Sequence, residues 1–505
     1  MSINNMLLSS YYGSGLTYFG SYSTGGFPGA HLTCNAIDTN GKMYMAGNYT
    51  STATTGGSNI LISRVTSQGV IDWSYVSSTA ANVFCDSIVI DSGQSNFYVA
   101  GRFGGRYFIQ KYSTSDGSGG TLTPVWQRSF GRFTSNTAYN GQPLNAPKVC
   151  MVVESTGTYL TVGYTEMTSS NAYFIKHYTS NGALLSQNQL TSTYFGNAAS
   201  AIPGANSFYI SDMAISSNSS TLDQIAVTGG SYINVKPAGG TTLYSYGAVI
   251  AQLNNSGSTL SLSGNPTFIY SSLSTSAAIY PGGIAFDNTS SVGGIYVSLY
   301  HNSGTNFYSL LGFLNPSISS FSSGGVLTTT AGKPIFNFSV AVPPTSAGVS
   351  TNGVFGGGWD TLTKSSVLTA SIMNLGSGVG TLYNYGNFNF SPDTPNLTSI
   401  TPNIVSLKTD GSYLYFVGTY EAPASSAFPR AFFGKIPIGM SKTGTYTLPD
   451  STSLTYTSGL SYSASSGSTT ANFTNPASFS TSTTVLEGTA PTFTFSPVTI
   501  SDIII

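Results

Sequence analysis

The side chains best suited to chemistry are few in this chain, and they are scattered. His31, His177 and His301 show no metal-ligand spacing with one another. Asp38, Asp91 and Asp287 each follow a strand-like run and sit beside Asn, Ser or Thr, where an aspartate caps a turn. As calcium ligands they would need a dense D-x-D-x-D loop, and none occurs. The glycine-rich stretches "GSGG" and "GGFPG" lack the lysine and the strand–helix setting of a phosphate loop. Cys34, Cys85 and Cys150 form no CxxC spacing or disulfide framework; they read as buried free thiols on separate inner strands, too distant to bridge. These residues predict no catalytic centre, no metal and no cofactor.

Composition points the same way. Of 505 residues only 7% are charged, against roughly 25% in an average soluble protein. Hydroxyls and amides meet the solvent instead, a balance common in extracellular or particle-bound β proteins. With 16 basic and 17 acidic residues the net charge is −1, so nothing drives nucleic-acid binding by counterion release. No stretch reaches the roughly 18 apolar residues of a membrane helix, and membrane insertion is not expected. "MSINNMLLSSYYGSG" lacks the charged start and apolar core of a secretory signal, so synthesis in a cytoplasm is expected.

The elements that would position any site repeat along the chain. A strand ending in glycine recurs as "KMYMAGNY", "NFYVAGRF", "TYLTVGYT", "QIAVTGGS" and "YLYFVGTY", with "GIYVSLY" and "GVFGGGW" in between. The anchors Gly47, Gly101, Gly163, Gly229, Ser298, Gly356 and Gly418 are 54, 62, 66, 69, 58 and 62 residues apart. A second strand follows each anchor, and five copies carry a polar or basic residue just before its last bulky one: Arg64, Lys111, His177, Gln252 and Lys435. Recurring in register, Arg64, Lys111 and Lys435 are expected to make blade-to-blade contacts, and His177 to be structural. Turns such as "TSQG" and "TSNG" come next, then a strand that ends in Trp73 or Trp126 in two copies. Each unit reads as four antiparallel strands with no helical period, and seven such units predict an all-β, seven-bladed β-propeller. The orphan "SGLTYFGSY" has the form of an outer strand, and the seventh unit lacks one. Leu16 to Gly20 should therefore close the last blade.

The pattern D-x-x-G-x-x-Y-x-A-G followed by F-I-x-K-Y-x-x-x-G-x-x-x-W resembles the seven-bladed β-propeller repeat family, found in many bacterial and some phage proteins. The resemblance spans about residues 16–440. It is fullest in units one to three and seven, and eroded in four to six, where the basic residue and Trp are missing. It implies architecture, while biochemical role varies within the family. The chain shows no arginine cluster and no S-x-D-x-G-x-x-W boxes of the sialidase kind. An enzyme is not expected.

Residues 1–15 read as an N-terminal arm. From 441 to 505 the chain is Ser/Thr-rich, yet Phe493, Phe495, Val498 and Ile500 alternate, and it ends on Ile503, Ile504 and Ile505. This predicts a small β segment that docks on the propeller or on another chain. As an anchor to other virion proteins, it would leave a stable ring behind when removed.

Loops joining second to third strands and blade to blade gather on one face of a propeller, and here they vary most in length. They hold aromatic and polar residues suited to sugars or proteins: His31, Tyr139, Tyr232, Tyr244, Tyr246, Trp359, Asp360, Tyr420 and Glu421. The composition is similar to that of phage fibre and capsid-surface proteins. We therefore expect a non-enzymatic virion protein that displays its propeller for particle decoration or for recognition of a host-surface glycan or protein. The alternative is a bacterial extracellular propeller that binds carbohydrate or protein.

Overall fold

The computed structural model describes residues 18–21, 30–50, 58–77, 83–117, 121–131, 148–165, 173–191, 208–217, 222–235, 243–264, 266–271, 278–287, 294–302, 307–314, 321–329, 335–343, 353–360, 365–374, 379–391, 403–421, 429–440 and 443–447, with 453–458, 464–465, 471–474, 478–481, 487–488 and 495–497 of the C-terminal stretch. Among the described residues every regular element is a β-strand.

The strands order into antiparallel meanders of four, each a blade of a β-propeller. Blade 1 runs Ala30–Ile37, Met43–Thr50, Ser58–Val65, Ile71–Ser77, and blade 2 runs Val83–Ile90, Asn96–Phe103, Arg106–Ser113, Trp126–Phe130. Blade 3 is Cys150–Val153, Tyr159–Thr165, Tyr173–Thr179, Leu184–Thr191. Blade 4 is Phe208–Ile215, Ile225–Val235, Leu243–Asn255 and an outer strand in two pieces, Leu260–Leu262 and Thr267–Ser271. Blade 5 is Ala278–Phe286, Ile295–Asn302, Phe307–Leu314, Phe321–Thr329, joined to blade 4 by a single parallel pair, Tyr246 with Ala278. Blade 6 is Ile335–Ala341, Gly353–Asp360, Ser365–Asn374, Val379–Ser391. Blade 7 is Asn403–Thr409, Tyr413–Glu421, Pro429–Pro437, completed by Tyr18–Ser21. The N-terminal strand thus closes the last blade, Tyr18 opposite Lys435 and Ser21 opposite Phe432; Leu16 lies outside the described residues. The first strand of every blade packs on its two neighbours, and the seventh returns to the first.

The core is divided among the gaps between blades. Tyr44 and Ala46 pack toward Ile88, Phe97 and Val99 of blade 2, while their chain neighbours Met43 and Met45 pack toward Tyr415 and Val417 of blade 7. Both faces of these strands are buried, which explains why "KMYMAGNY" is apolar nearly throughout instead of alternating.

Glycine at the anchor follows from the inner strands. Six of the seven carry a β-bulge at one register, with Thr33, Asp86, Ser211, Phe338 and Val405 as extra residues and a wider irregularity at Gly282 and Gly283. The bulge drives a main-chain carbonyl toward the second strand. A Cβ on Gly47 would lie 1.8 Å from the His31 oxygen, and one on Gly101 1.9 Å from that of Phe84. In blade 6 the residue facing the start of the bulge is Gly358, opposite Asn337, whereas Gly356 pairs with Val340. The anchor assigned to Gly356 is therefore corrected to Gly358. Three consecutive glycines left the spacing ambiguous, and the bulge selects among them.

The recurring polar slot ties four blades to the next: blade 1 to 2, 2 to 3, 3 to 4 and 7 to 1. Arg64 donates from Nη1 to the Thr114 carbonyl (2.6 Å), Lys111 from Nζ to that of Ser180 (2.9 Å), and Lys435 to that of Ser67 (3.4 Å). His177 does the same across blades 3 and 4. Its Nε2 meets the Gly257 carbonyl at 2.6 Å, which can only accept, so Nδ1 receives the Thr161 hydroxyl at 2.9 Å. Trp73 and Trp126 lie against Gly117 and Gly182 of the following blade, both left-handed glycines at φ +96° and +80° with no room for a Cβ. Gln252 instead bonds within blade 4, to Gln224, so the latch is missing between blades 4 and 5.

The C-terminal stretch is part of the ring's own sheets. Ser453–Ser458 adds to the outer strand of blade 6, Ala464–Ser465 to blade 5, Ala471–Thr474 to blade 4, Ser478–Thr481 to blade 3, Glu487–Gly488 to blade 2 and Phe495–Pro497 to blade 1. The described C-terminal strands thus retrace the ring in reverse order, from blade 6 to blade 1, and none of them pairs with the blade that the N-terminal strand completes. At the join, Phe19 touches the rings of Tyr446 and Tyr456 (centroids 5.1 and 6.2 Å). Leu454 and Tyr456 belong to the core between blades 6 and 7, which speaks for the segment docking on the propeller and against its removal leaving the ring unchanged. Strands with so little charge need pairing, and the nearest free edges are the blades' own.

Two outcomes follow. Gly101→Ala, which forces a Cβ into a carbonyl, should lower the thermal midpoint well beyond Gly93→Ala, whose Cβ meets nothing; equal midpoints would refute the crowding. Ending the chain at residue 442 should lower the midpoint by several degrees, at about 2–4 °C per kcal/mol for a domain of some 150–250 residues. An unchanged midpoint would mean the tail is not part of the fold.

Candidate functional site

Antiparallel meanders sort the connections onto two faces. On one face lie tight turns capped by acidic side chains. Asp38 Oδ1 accepts from the Asn40 and Lys42 amides (2.9 and 2.8 Å), Asp91 Oδ1 from Ser95 and Asn96 (2.9 and 3.1 Å), and Asp410 Oδ1 from Ser412 and Tyr413 (2.8 Å each). Asp38 and Asp91 thus act as turn caps. Strand ends at the other face are joined by 131–149, 192–207, 392–402 and 422–428, the first two being the longest connections between blade strands, while 114–125, 216–224 and 342–352 join strand ends at the turn face.

The residues proposed for that face divide. Tyr139 lies outside the described residues. Tyr232, Tyr244, Trp359, Asp360 and Glu421 sit in strands that end at the long-connection face, with Tyr232 opposite Tyr246 and Glu421 opposite Pro429. His31, second in its strand, is partly buried, and burial lowers its pKa to about 4, so the imidazole is neutral at pH 7. Two candidates are corrected. Tyr420 is fully buried and stacks on Phe390 at 4.5 Å, and Tyr246 is buried against Tyr209 and Tyr280. Both were placed in loops, but the strands of these hairpins extend to Val235 and Glu421 and carry the rings into the core.

Sequence reasoning missed what Tyr246 belongs to. Tyr209, Tyr246, Tyr280 and Tyr300 form a ladder of rings across blades 4 and 5, with successive centroids 6.3, 4.9 and 6.1 Å apart. It starts buried and becomes half-buried at Tyr280 and Tyr300, at the long-connection end. Burial raises the pKa of all four phenols, so they remain protonated, stacking surfaces and hydrogen-bond donors rather than nucleophiles. No single repeat unit contains the ladder, which hid it from the spacing. The buried pair of Arg102 with Asp86 (2.9 Å) was also missed; Asp86, a bulge residue, further accepts from the Val149 amide of blade 3 (3.4 Å).

The cysteines are free and buried as expected, but the separation expected for them is wrong: Cys34 and Cys85 have their sulfurs 3.9 Å apart. Adjacent inner strands converge at the axis, so residues 51 apart in sequence meet there. Burial raises the Cys85 and Cys150 thiols, keeping them protonated. Among the described residues, no three His, Cys, Asp or Glu side chains are grouped to hold a metal ion.

No known family model and no curated protein matches the sequence. Solved structures do. A protein from Lactobacillus plantarum aligns at a TM-score of 0.40 and 13% identity, over 76% of this chain and 96% of its own. A Dyadobacter fermentans protein of unknown function aligns at 0.37 and 9%, over 84% and 99%. The Dos1 propeller aligns at 0.36 and 11%, over 82% and 93%. The fold is that of a β-propeller, and strand order and ring closure carry that conclusion.

The histidine slot gives a pH test. Burial lowers the pKa of His177, so below about pH 6.5 the unfolded chain takes up a proton that the folded one resists, and stability is lost as pH falls. Between pH 7 and 5 the urea midpoint of the wild type should fall more than that of His177→Gln, which copies the Gln252 slot. Parallel losses would show that His177 titrates normally.

Proposed function

We propose that this protein is a non-enzymatic recognition module of a phage or similar virus particle, presenting the long-connection face to a host-surface glycan or protein. The observation that carries the reading is the asymmetry between the faces. One carries the acid-capped turns at Asp38, Asp91 and Asp410, and the other takes the two longest connections between blade strands, 131–149 and 192–207, with the tyrosine ladder, on a ring whose last blade the N-terminal strand completes. A rigid ring holds variable loops at little entropic cost on binding. Aromatic rings that emerge half-buried beside Ser, Thr and Asn suit the apolar faces and hydroxyls of sugars. The resemblance of the repeats to the propeller repeat family, found in many bacterial and some phage proteins, fits this role, as does a composition rich in hydroxyls and poor in ions. Other virion proteins would meet the outward edges of the C-terminal strands.

Immunogold microscopy of particles released by the cells that encode the protein tests the reading. Label on the particle surface at many copies supports it. Label on cell envelopes with bare particles would overturn it in favour of a bacterial surface propeller.

A further inference from the structure

Blade 7 differs from the other six at its outer edge. In blades 1 to 6 a short C-terminal strand lies on the outer strand, whereas among the described residues the sheet of blade 7 ends on Tyr18–Ser21. Alternate residues of an antiparallel strand send their N–H and C=O to opposite sides, so part of this strand's backbone points away from its partner Pro429–Pro437. Yet the strand is not exposed as a free edge would be. Tyr18, Phe19 and Ser21 are each 1% exposed, and Gly20 is buried as well. Buried backbone N–H and C=O groups are nearly always paired. The Ser21 hydroxyl is also buried, with no hydrogen-bond partner among the described residues.

Burial of this kind marks outer strands where a C-terminal strand covers them. In blade 2 Ser129 and Phe130, which pair with Glu487–Gly488, are buried, while the uncovered Trp126, Gln127 and Arg128 are partly exposed. In blade 3 Asn188 and Leu190, under Ser478–Thr481, are buried, while the uncovered Leu184 and Ser186 are partly exposed and Leu185 is exposed. Tyr18–Ser21 is buried in the manner of the covered stretches.

The register of the other blades indicates what covers it. In all six the last residue of the outer strand faces the first residue of the C-terminal strand, from Ser391 opposite Ser453 to Ser77 opposite Phe495. Those first residues are Ser453, Ala464, Ala471, Ser478, Glu487 and Phe495, between 7 and 11 positions apart. One more step of that size from Phe495 falls at Asp502 or beyond, beside Ile503, Ile504 and Ile505. Blade 7 is next in the order from 6 down to 1 and round the ring, and its outer strand ends at Ser21. Residues 498–505 lie outside the described residues.

We infer that residues 502–505 add to the free side of Tyr18–Ser21 as a seventh C-terminal strand, antiparallel to it as the other six are to theirs. Both ends of the chain then lie side by side in one sheet, and the outermost strand of every blade comes from the tail. The segment brings main-chain partners to the buried edge and apolar cover beside Tyr18 and Phe19. An edge paired in this way offers no template to another chain.

Hydrogen–deuterium exchange of the full chain and of a chain ending at residue 501 tests this. In the full chain the amides of Tyr18–Ser21 should be protected. In the shortened one the outward-pointing amides should exchange on the order of a hundredfold faster. Tyr75, Val76 and Ser77, paired with Phe495–Pro497, should keep their protection. Photo-crosslinking from p-benzoylphenylalanine in place of Ile504 needs no shortened chain, and should join residue 504 to the peptide holding Tyr18–Ser21 within one molecule. Free exchange of the outward amides in the full chain, or unchanged protection in the shortened one, would overturn the assignment. So would crosslinks between two molecules, which would put a second copy on the edge, or crosslinks only to other blades.

Discussion

Crowding at the axis is the constraint from which the rest of the structure follows. Seven strands must converge there edge to edge, and most accommodate the twist with a bulge that throws a carbonyl at the neighbouring strand. At 1.8–1.9 Å from where a Cβ would sit on Gly47 and Gly101, that carbonyl admits only glycine. The repeat signature is thus the imprint of a steric conflict at the centre. The same convergence brings Cys34 to Cys85.

Away from the axis the blades diverge, and contacts between them must be made by longer side chains. Arg64, Lys111, His177 and Lys435 bridge the widening gap to a carbonyl of the next turn, while tryptophans lie on its glycine. Where Gln252 replaces the cation, blades 4 and 5 are joined by the Tyr246–Ala278 strand pair and the tyrosine ladder. Farthest out, the C-terminal strands add to blades 6 through 1, and the N-terminal strand completes blade 7. Outer edges that would template aggregation are covered by the chain's own ends. A protein with so few charged residues has few other ways to blunt them.

Much of this was legible in the chain. Glycine spacing revealed the units, the orphan "TYFG" strand foretold closure, and the register of Arg64, Lys111 and Lys435 foretold their contacts. What failed was whatever depended on geometry between units. Gly356 and Gly358 are equivalent by composition, and only the bulge at Phe338 separates them. Tyr246 and Tyr420 read as loop residues because Gly and Pro follow nearby, whereas pairing carries the strands past them. The tail strands are too short to show a period, and their order comes from edges supplied far earlier in the chain, from Ser391 opposite Ser453 to Ser77 opposite Phe495. The recognition face was legible only as a set of long connections, and its tyrosine ladder only after blades 4 and 5 were placed side by side.

The central claim, a ring bound by both ends of its own chain, is tested most directly at the pairing farthest along the tail. Ser77 of blade 1 faces Phe495 in register. In the double variant Ser77→Cys, Phe495→Cys, with Cys34, Cys85 and Cys150 buried, mild oxidation should give a monomeric protein with one intrachain disulfide between residues 77 and 495, identified by peptide mapping. Free thiols at both positions, or disulfide-linked oligomers only, would contradict the account.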